Sequence, residues 1–316
     1  MTKTAVSARQ VRKTYRGADA PALDGFDLDI PAGAVCGLLG PNGAGKTTAI
    51  RILATLLRLD AGQATVAGHD VHTEPAQVRR RIGLVGQYAA VDEVLSGHQN
   101  LVLFGRLNHL GAAEARKRAD ELLERFALAD TGAKPVSKYS GGMRRRLDLA
   151  ASLIVAPEVL FVDEPTTGLD PQARQEVWAS LRELSAAGTT ILLTTQYLDE
   201  ADRLADRIAM LWHGRVVSEG TPDELKASVG GDWIDVVFDR PDDVATALPL
   251  LREHADGELR TELTKVSIPV EQRTRALIAI STALSGAGIE PAELNLRRPT
   301  LDEVFLAQHA KQEVAA

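Results

Sequence analysis

Residues 40–47 constrain the fold of this chain more than any other segment. They read Gly-Pro-Asn-Gly-Ala-Gly-Lys-Thr and match the pattern G-x-x-x-x-G-K-[ST], in which backbone N–H groups of a glycine-rich loop surround phosphate groups. The apolar run 34–39 before the loop predicts a buried strand, and the run 48–57 after it predicts a helix. The sequence therefore predicts an α/β fold in which this loop, the P-loop, and a helix N-terminus bind a nucleotide.

Two residues of the P-loop have distinct predicted roles. Lys46 can reach the β- and γ-phosphates of a nucleoside triphosphate, and the Thr47 hydroxyl can bind Mg²⁺. The alternative is a glycine-rich turn that matches by chance, and it is disfavoured because both flanking elements are present. We predict nucleotide contacts at Gly40, Pro41, Asn42, Gly43, Ala44, Gly45, Lys46, Thr47 and Thr48.

A second apolar strand, residues 159–162, leads directly into Asp163 and Glu164. In P-loop enzymes an aspartate at such a strand end holds Mg²⁺, which assigns that role to Asp163. Glu164 is then placed to act as a general base on the water that attacks the γ-phosphate. Taken alone, Glu164 could equally well solvate the end of the strand.

Composition excludes several classes of protein. The 316 residues correspond to about two domains of roughly 150 residues, and no run reaches the ~18–20 apolar residues of a membrane-spanning helix. Residues 1–9 lack the apolar core of a secretory signal, and Cys36 is the only cysteine, so we expect a cytosolic chain without an intrachain disulfide. The net charge of −7 argues against a nucleic-acid partner.

Further motifs follow in a fixed order along the chain. They are Gln87, the segment 139–143 (Tyr-Ser-Gly-Gly-Met) and the segment 165–170 (Pro-Thr-Thr-Gly-Leu-Asp) directly after Glu164. Together with the P-loop, this set resembles the nucleotide-binding subunit of ABC transporters over about residues 4–225. The family signature is usually L-S-G-G-Q, and here its central Ser-Gly-Gly is intact while both outer positions differ.

The resemblance implies roles for residues that would otherwise carry little meaning. Tyr15 matches the aromatic residue that stacks on adenine, although it could also be a surface tyrosine in a turn. Gln87 matches the glutamine that touches Mg²⁺ and the attacking water while sensing the membrane partner. Ser140, Gly141 and Gly142 match the signature that faces ATP held by a second subunit, and Asp170 matches the aspartate at the dimer seam. A homodimer is therefore expected, with ATP in its interface.

Residue 196 departs from the family pattern. Most relatives carry a histidine after the strand at 191–195, whereas this chain has Gln196, which can donate a hydrogen bond to phosphate but cannot become cationic. We expect hydrolysis to be retained, with Lys46, Glu164 and Gln196 as the catalytic set. Gln196, the segment 139–148 and the tail 298–306 together resemble the daunorubicin/doxorubicin-resistance type of exporter ATPase.

That branch implies a partner and a location. Its membrane channel is a separate polypeptide, so the chain is expected to lie peripherally on the cytoplasmic face of the membrane and to energise efflux of a hydrophobic drug. Two rivals stay open. One is a soluble ABC ATPase acting on nucleic acid or ribosomes, although such proteins usually have a coiled-coil or zinc insertion or two tandem cassettes. The other is an ATP-gated module with little turnover, which Gln196 makes conceivable.

The expected organisation is a P-loop NTPase of the ABC ATPase type with an inserted helical subdomain and a small C-terminal α+β domain. We place the nucleotide-binding domain at 1–229, the helical subdomain at about 88–155 and the accessory domain at 230–316, after the break at Gly230-Gly231. Periodicity in the last part predicts the order βαββαβ followed by a helix, a ferredoxin-like arrangement. The basic run 144–146 is interpreted as a solvated helix face rather than a surface for lipid or an acidic loop.

Overall fold

Strands and helices alternate along most of the chain, and the computed structural model describes residues 3–87 and 89–315. The strands are β1 (Thr4–Lys13), β2 (Leu23–Pro31), β3 (Val35–Leu39), β4 (Ala61–Val66), β5 (His69–Asp70), β6 (Ile82–Val85), β7 (Val159–Asp163), β8 (Thr190–Thr195), β9 (Arg207–Trp212), β10 (Arg215–Gly220), β11 (Asp232–Val237), β12 (Arg260–Thr261), β13 (Lys265–Val270) and β14 (Glu293–Arg297). The helices are α1 (Lys46–Leu53), α2 (Pro75–Arg79), α3 (Gly97–Leu107), α4 (Ala112–Arg125), α5 (Gly141–Ser152), α6 (Pro171–Ala186), α7 (Leu198–Leu204), α8 (Pro222–Ala227), α9 (Pro241–Arg252), α10 (Arg273–Gly286) and α11 (Leu301–Ala315), with short 3₁₀ turns at Ala129–Thr131 and Val136–Lys138.

The chain divides into two compact units, Met1–Pro222 and Asp223–Ala316. Nearly all of the short helix α8 therefore belongs to the second unit, and the division comes before the Gly230-Gly231 break. The placement of independently folding domains at 1–229 and 230–316 stays a prediction. None of the helices in the described part of the chain is long and apolar enough to cross a membrane.

A six-stranded sheet in the order β10-β9-β3-β8-β7-β6 forms the centre of the first unit. Its strands are parallel except for β10, which pairs antiparallel with β9. Strands β3, β7 and β8 are buried along their whole length, as their continuous apolar runs predict. The predicted α/β fold around the P-loop is thus confirmed.

Residues of β7 alternate between two cores. Phe161 packs in the core that includes Ile50 of α1 and reaches a second sheet, ordered β2-β1-β4-β5. Leu160 and Val162 pack on the other side, in a core that includes residues of α3, α4, α5 and α6. Both faces of the strand that carries Asp163 and Glu164 are thereby fixed, since burying each such large apolar side chain contributes about 1.5–3 kcal/mol.

Helices α3, α4 and α5 are inserted between β6 and β7, where the sequence predicts a helical subdomain. One helix boundary differs from expectation: α1 ends at Leu53 rather than continuing to residue 57. Thr55 has a left-handed backbone with φ of +62°, a conformation incompatible with another helical turn. The apolar residues after this point, which suggest a longer helix, instead follow a turn.

The second unit contains a four-stranded antiparallel sheet in the order β12-β13-β11-β14. With α9 and α10 between the strands, it has the βαββαβ order predicted from the sequence. One sheet face packs into a core that includes Ile234, Ile268 and Leu284. Trp233 lies under the guanidinium groups of Arg260 and Arg297, 4.6 and 5.6 Å from the ring centre.

Candidate nucleotide-binding and hydrolysis site

The P-loop connects the end of β3 to the start of α1 through a backbone that only glycine adopts easily. Gly43 and Gly45 have φ values of +83° and +111°, and Gly45 caps α1. A side chain at Gly45 would clash with the Ala22 carbonyl, and one at Gly40 would clash with the Leu211 carbonyl. The path of the loop therefore depends on glycine at these positions.

Lys46 lies across the P-loop with only 5% of its surface exposed. Its Nζ donates to the carbonyl oxygens of Gly40 at 2.7 Å and Pro41 at 3.2 Å. Burial lowers the pKa of the ammonium group, while the charges of Glu164 and Asp163 act in the opposite direction. Both hydrogen-bond partners are neutral carbonyls, which a phosphate oxygen replaces favourably because it forms a charge-assisted bond.

Asp163, the last residue of β7, accepts hydrogen bonds from threonines of two other elements. The Thr47 hydroxyl, at the start of α1, donates to Asp163 Oδ1 at 3.4 Å, and the hydroxyl of Thr194 on β8 donates to the same oxygen. A hydroxyl and a carboxylate at this spacing are the hard oxygen ligands that Mg²⁺ takes in phosphate-transfer sites. The donor set at this point therefore fits the predicted Mg²⁺ role of Thr47 and Asp163.

Glu164 follows β7 in a left-handed backbone conformation, with φ of +47°. Such a conformation costs a non-glycine residue on the order of 1–3 kcal/mol and persists where its surroundings enforce it. Here the Glu164 amide donates to the Thr194 carbonyl at 3.1 Å and to the Thr194 hydroxyl at 3.2 Å. The Thr167 hydroxyl donates to Glu164 Oε2 at 3.3 Å, so the carboxylate is oriented from its own turn.

A cavity of about 370 Å³, the nucleotide cavity, brings most of the predicted residues together. Its lining consists of Tyr15, Ala22, Pro41, Asn42, Gly43, Gly45, Lys46, Thr47, Thr48, Gln87 and Glu164. Tyr15 is 40% exposed at its edge, and its hydroxyl lies 3.2 Å from Thr48 Oγ1. Ala22 was not predicted, because its contribution comes from the approach of its carbonyl to Gly45 and no local motif signals that contact.

Several predicted residues do not line this cavity in the described part of the chain. Gly40 and Ala44 are in the P-loop, and Asp163 is the last residue of β7. Ser140, Gly141 and Gly142 form the start of α5. The Ser140 hydroxyl caps that helix by accepting from the Met143 amide at 3.2 Å. Asp170 caps α6 by accepting from the Ala173 amide at 2.9 Å, and Gln196 is exposed directly after β8.

The interpretation of the basic run 144–146 as a solvated helix face is wrong for Arg145. Arg145 is not on a solvated face: only 6% of it is exposed, and it pairs with Asp148, whose Oδ2 lies 3.4 Å from Nη1. Arg144 is half-exposed and pairs with Glu93, as a solvated face predicts. The sequence signal for this pair is the i,i+3 spacing of Arg145 and Asp148 within a helix whose neighbouring residues are apolar.

The sequence and the fold of this chain are similar to those of known proteins. The family model for the ABC transporter matches residues 23–167. A daunorubicin resistance ATP-binding protein, DrrA3 of Streptomyces coeruleorubidus, is 60% identical over 97% of this chain and 96% of its own length. The daunorubicin/doxorubicin resistance ATP-binding protein DrrA of Streptomyces peucetius is 50% identical over 96% of this chain and 92% of its own length. The solved dimer of the ATP-binding cassette MJ0796 in a post-hydrolysis state, bound to ADP and phosphate, superposes with a TM-score of 0.62 at 27% identity, covering 68% of this chain and 98% of that one.

Proposed function

This chain belongs to the ATP-binding subunits of ABC transporters, of the daunorubicin/doxorubicin-resistance type, and we propose that its ATP hydrolysis energises a separate membrane exporter of a hydrophobic drug. One observation carries the proposal: Lys46, Thr47 and Glu164 line a single cavity beside the P-loop. That grouping supports roles for Lys46 as a cation at the γ-phosphate, Thr47 as an Mg²⁺ ligand and Glu164 as a general base.

The residues that line the cavity have different roles in the proposed hydrolysis. Lys46 exchanges its carbonyl partners for phosphate oxygens, and Tyr15 packs on the adenine ring. Glu164 accepts a proton from the attacking water at a carboxylate oxygen, while Gln87 orients that water through its amide. Bound Mg²⁺, held by Thr47 and Asp163 with Gln87 nearby, would offset charge on the β- and γ-phosphates.

Two copies of the chain complete each site in this proposal. Ser140, Gly141 and Gly142 present the N-terminus of a 12-residue helix, a geometry that binds anions, yet they do not line the nucleotide cavity of their own chain. In a two-fold pair each signature segment faces the partner's P-loop, with Asp170 at the seam. The dimeric, ADP- and phosphate-bound state of the cassette MJ0796 supports this arrangement.

The exporter partner and the drug class rest on the relatives. Proteins 50 and 60% identical over nearly the whole chain carry names of daunorubicin or doxorubicin resistance. We propose a peripheral position on the cytoplasmic face of the membrane, bound to a multi-span permease. The net charge of −7 disfavours the rival function on nucleic acid or ribosomes.

The test uses the chain produced together with the multi-span membrane protein encoded beside its gene. ATP-dependent uptake of doxorubicin into inverted vesicles is measured for the parent, for Lys46→Ala and for Lys117→Ala. Lys117 is the matched control because its side chain is 80% exposed on α4. We expect uptake with the parent and the control only. ATP hydrolysis without membrane association would favour the soluble rival, and uptake with Lys46→Ala would contradict the proposal.

A further inference from the structure

The buried guanidinium of Arg145 joins two segments of the site that the sequence separates widely. Its Nε donates to the Pro165 carbonyl at 2.8 Å and its Nη2 to the Asp163 carbonyl at 3.2 Å, so its two acceptors flank Glu164. Its Nη1 donates to the carbonyl of Gly86, the residue directly before Gln87. One side chain of α5 thus holds the backbone on both sides of the general base and the backbone next to the sensor glutamine.

Asp148, one turn further along α5, completes the arrangement. Its Oδ2 lies 3.4 Å from Arg145 Nη1, and its Oδ1 accepts from the Ala90 amide at 2.9 Å. The loop that carries Gln87 is therefore bonded to this pair on both sides, through Gly86 before it and Ala90 after it. Among the described residues, no other side chain of α5 hydrogen-bonds both to this loop and to the end of β7.

Burial makes the pair sensitive to substitution. Arg145 and Asp148 are 6% and 4% exposed, and desolvation lowers the pKa of the guanidinium and raises that of the carboxyl. Arginine stays charged in proteins, so the charge of each residue is compensated mainly by the other. Removing one partner leaves an uncompensated buried charge, which forces the neighbouring loops to rearrange. The planar fork of arginine also fixes three donor directions at once, a geometry that lysine lacks.

We propose that Arg145, supported by Asp148, is a positioning residue that fixes Glu164 and the Gln87 loop relative to the signature helix α5. This inference rests on the proposed function, since it concerns the hydrolysis that function requires. Ser140, Gly141 and Gly142 begin the same helix, so a shift of α5 when a second copy binds ATP is transmitted to Glu164 through one side chain. The hydrogen bonds of Lys46 to Gly40 and Pro41 in the P-loop do not involve Arg145.

The test compares Arg145→Lys, Asp148→Asn and the control Arg118→Gln in the full-length chain. Arg118 donates to the carbonyl of Leu153, the C-cap of the same helix, at 3.1 Å, so the control removes an arginine–carbonyl bond at the opposite end of α5. ATP affinity, kcat for ATP hydrolysis and thermal unfolding are measured for each. For both test variants we expect kcat to fall by about tenfold or more while ATP affinity stays within about threefold of the parent. The control should match the parent in both.

Three results would overturn the inference. The first is parent-like kcat in Arg145→Lys or in Asp148→Asn. The second is a loss of ATP affinity equal to the loss of kcat, because the pair would then support the whole cavity rather than Glu164 and Gln87. The third is the absence of cooperative unfolding in both variants, which would make the pair a requirement for folding. Absence of hydrolysis by the unmodified chain is a different outcome, and it would contradict the proposed function together with this inference.

Discussion

The backbone amide of Glu164 lies within hydrogen-bonding distance of two oxygens of Thr194, the carbonyl at 3.1 Å and the hydroxyl at 3.2 Å. The same hydroxyl donates to Asp163 Oδ1. A single, fully buried threonine on β8 thus contacts both residues to which we assign the Mg²⁺ ligand and the general base. The left-handed backbone of Glu164 is therefore stabilised by hydrogen bonds to the neighbouring strand β8 as well as by contacts within its own turn.

Thr194→Val should impair hydrolysis while leaving the fold intact. Valine keeps the shape of threonine but removes the hydroxyl, and a lost buried hydrogen bond costs about 1–3 kcal/mol. We expect hydrolysis to fall roughly tenfold, which corresponds to about 1.4 kcal/mol, and the Mg²⁺ concentration for half-maximal activity to rise. Thr194→Ser retains the hydroxyl and serves as the control. Equal Mg²⁺ titrations for valine and serine variants would show that this hydroxyl does not orient Asp163.

Glu164→Gln should separate ATP binding from hydrolysis. Glutamine cannot accept the proton of the attacking water, and loss of a general base costs roughly 10²-fold or more in rate. Because ATP is then not consumed, the two-fold dimer should accumulate and be visible by sedimentation with ATP. Glu158→Gln is a matched control, since Glu158 directly precedes β7 and its side chain is 53% exposed. Unchanged hydrolysis in Glu164→Gln would assign the base to another residue.

Gln196→His tests the exposed residue after β8. A histidine there would introduce a group with an unperturbed pKa of about 6.5, whereas an amide does not titrate. If residue 196 contacts the γ-phosphate, the rate of hydrolysis should change and its dependence on pH between about 6 and 8 should differ from that of the parent. The measurement is kcat as a function of pH. Superimposable profiles would show that residue 196 does not touch the phosphate.

Glu200→Gln should change the pH dependence of stability. Glu200 is fully buried on α7, and its Oε1 accepts from Trp178 Nε1 at 2.9 Å and from Thr166 Oγ1 at 3.0 Å. Burial raises the pKa of this carboxyl, opposed by hydrogen bonds that include those two. The stability it contributes is therefore complete below its unfolded pKa of about 4.3 and is lost as the pH rises through its folded pKa.

The neutral amide of the Glu200→Gln variant does not follow this dependence. The free energy of unfolding of the variant, minus that of the parent, should therefore increase as the pH rises above about 4.3. Urea unfolding of both proteins from pH 4 to pH 8 measures this difference. Parallel curves over the whole range would mean that Glu200 titrates normally.

Local patterns were sufficient to predict the centre of the fold. The apolar runs before the P-loop and before Asp163 correspond to β3 and β7, because a strand buried on both faces needs apolar residues at every position. The βαββαβ order of the second unit follows from alternation that changes period between strand and helix. Most cavity-lining residues were predicted for the same reason, since the P-loop is a continuous segment whose function depends on neighbouring residues.

Features that depend on distant contacts were not predictable. The i,i+3 spacing of Arg145 and Asp148 indicates an ion pair, but the hydrogen bonds of Arg145 to the carbonyls at positions 86, 163 and 165 depend on the folded chain, which alone brings them together. Ala22 joins the cavity because its carbonyl approaches Gly45. The roles of Ser140, Asp170 and Gln196 remain predictions, because they concern a second copy or a bound phosphate rather than contacts within one chain.

Cys36 has a practical consequence for studying the motions of this ATPase. It is the only cysteine in the sequence, it is buried on β3, and burial raises the pKa of its thiol to about 12. Maleimides and methanethiosulfonates modify exposed thiolates, so they should spare it. A single exposed cysteine, such as that of a Gln172→Cys variant at the start of α6, would then carry a spin label without further engineering. In the proposed two-fold pair, distances between the labels of two copies would report whether the interface opens and closes during turnover.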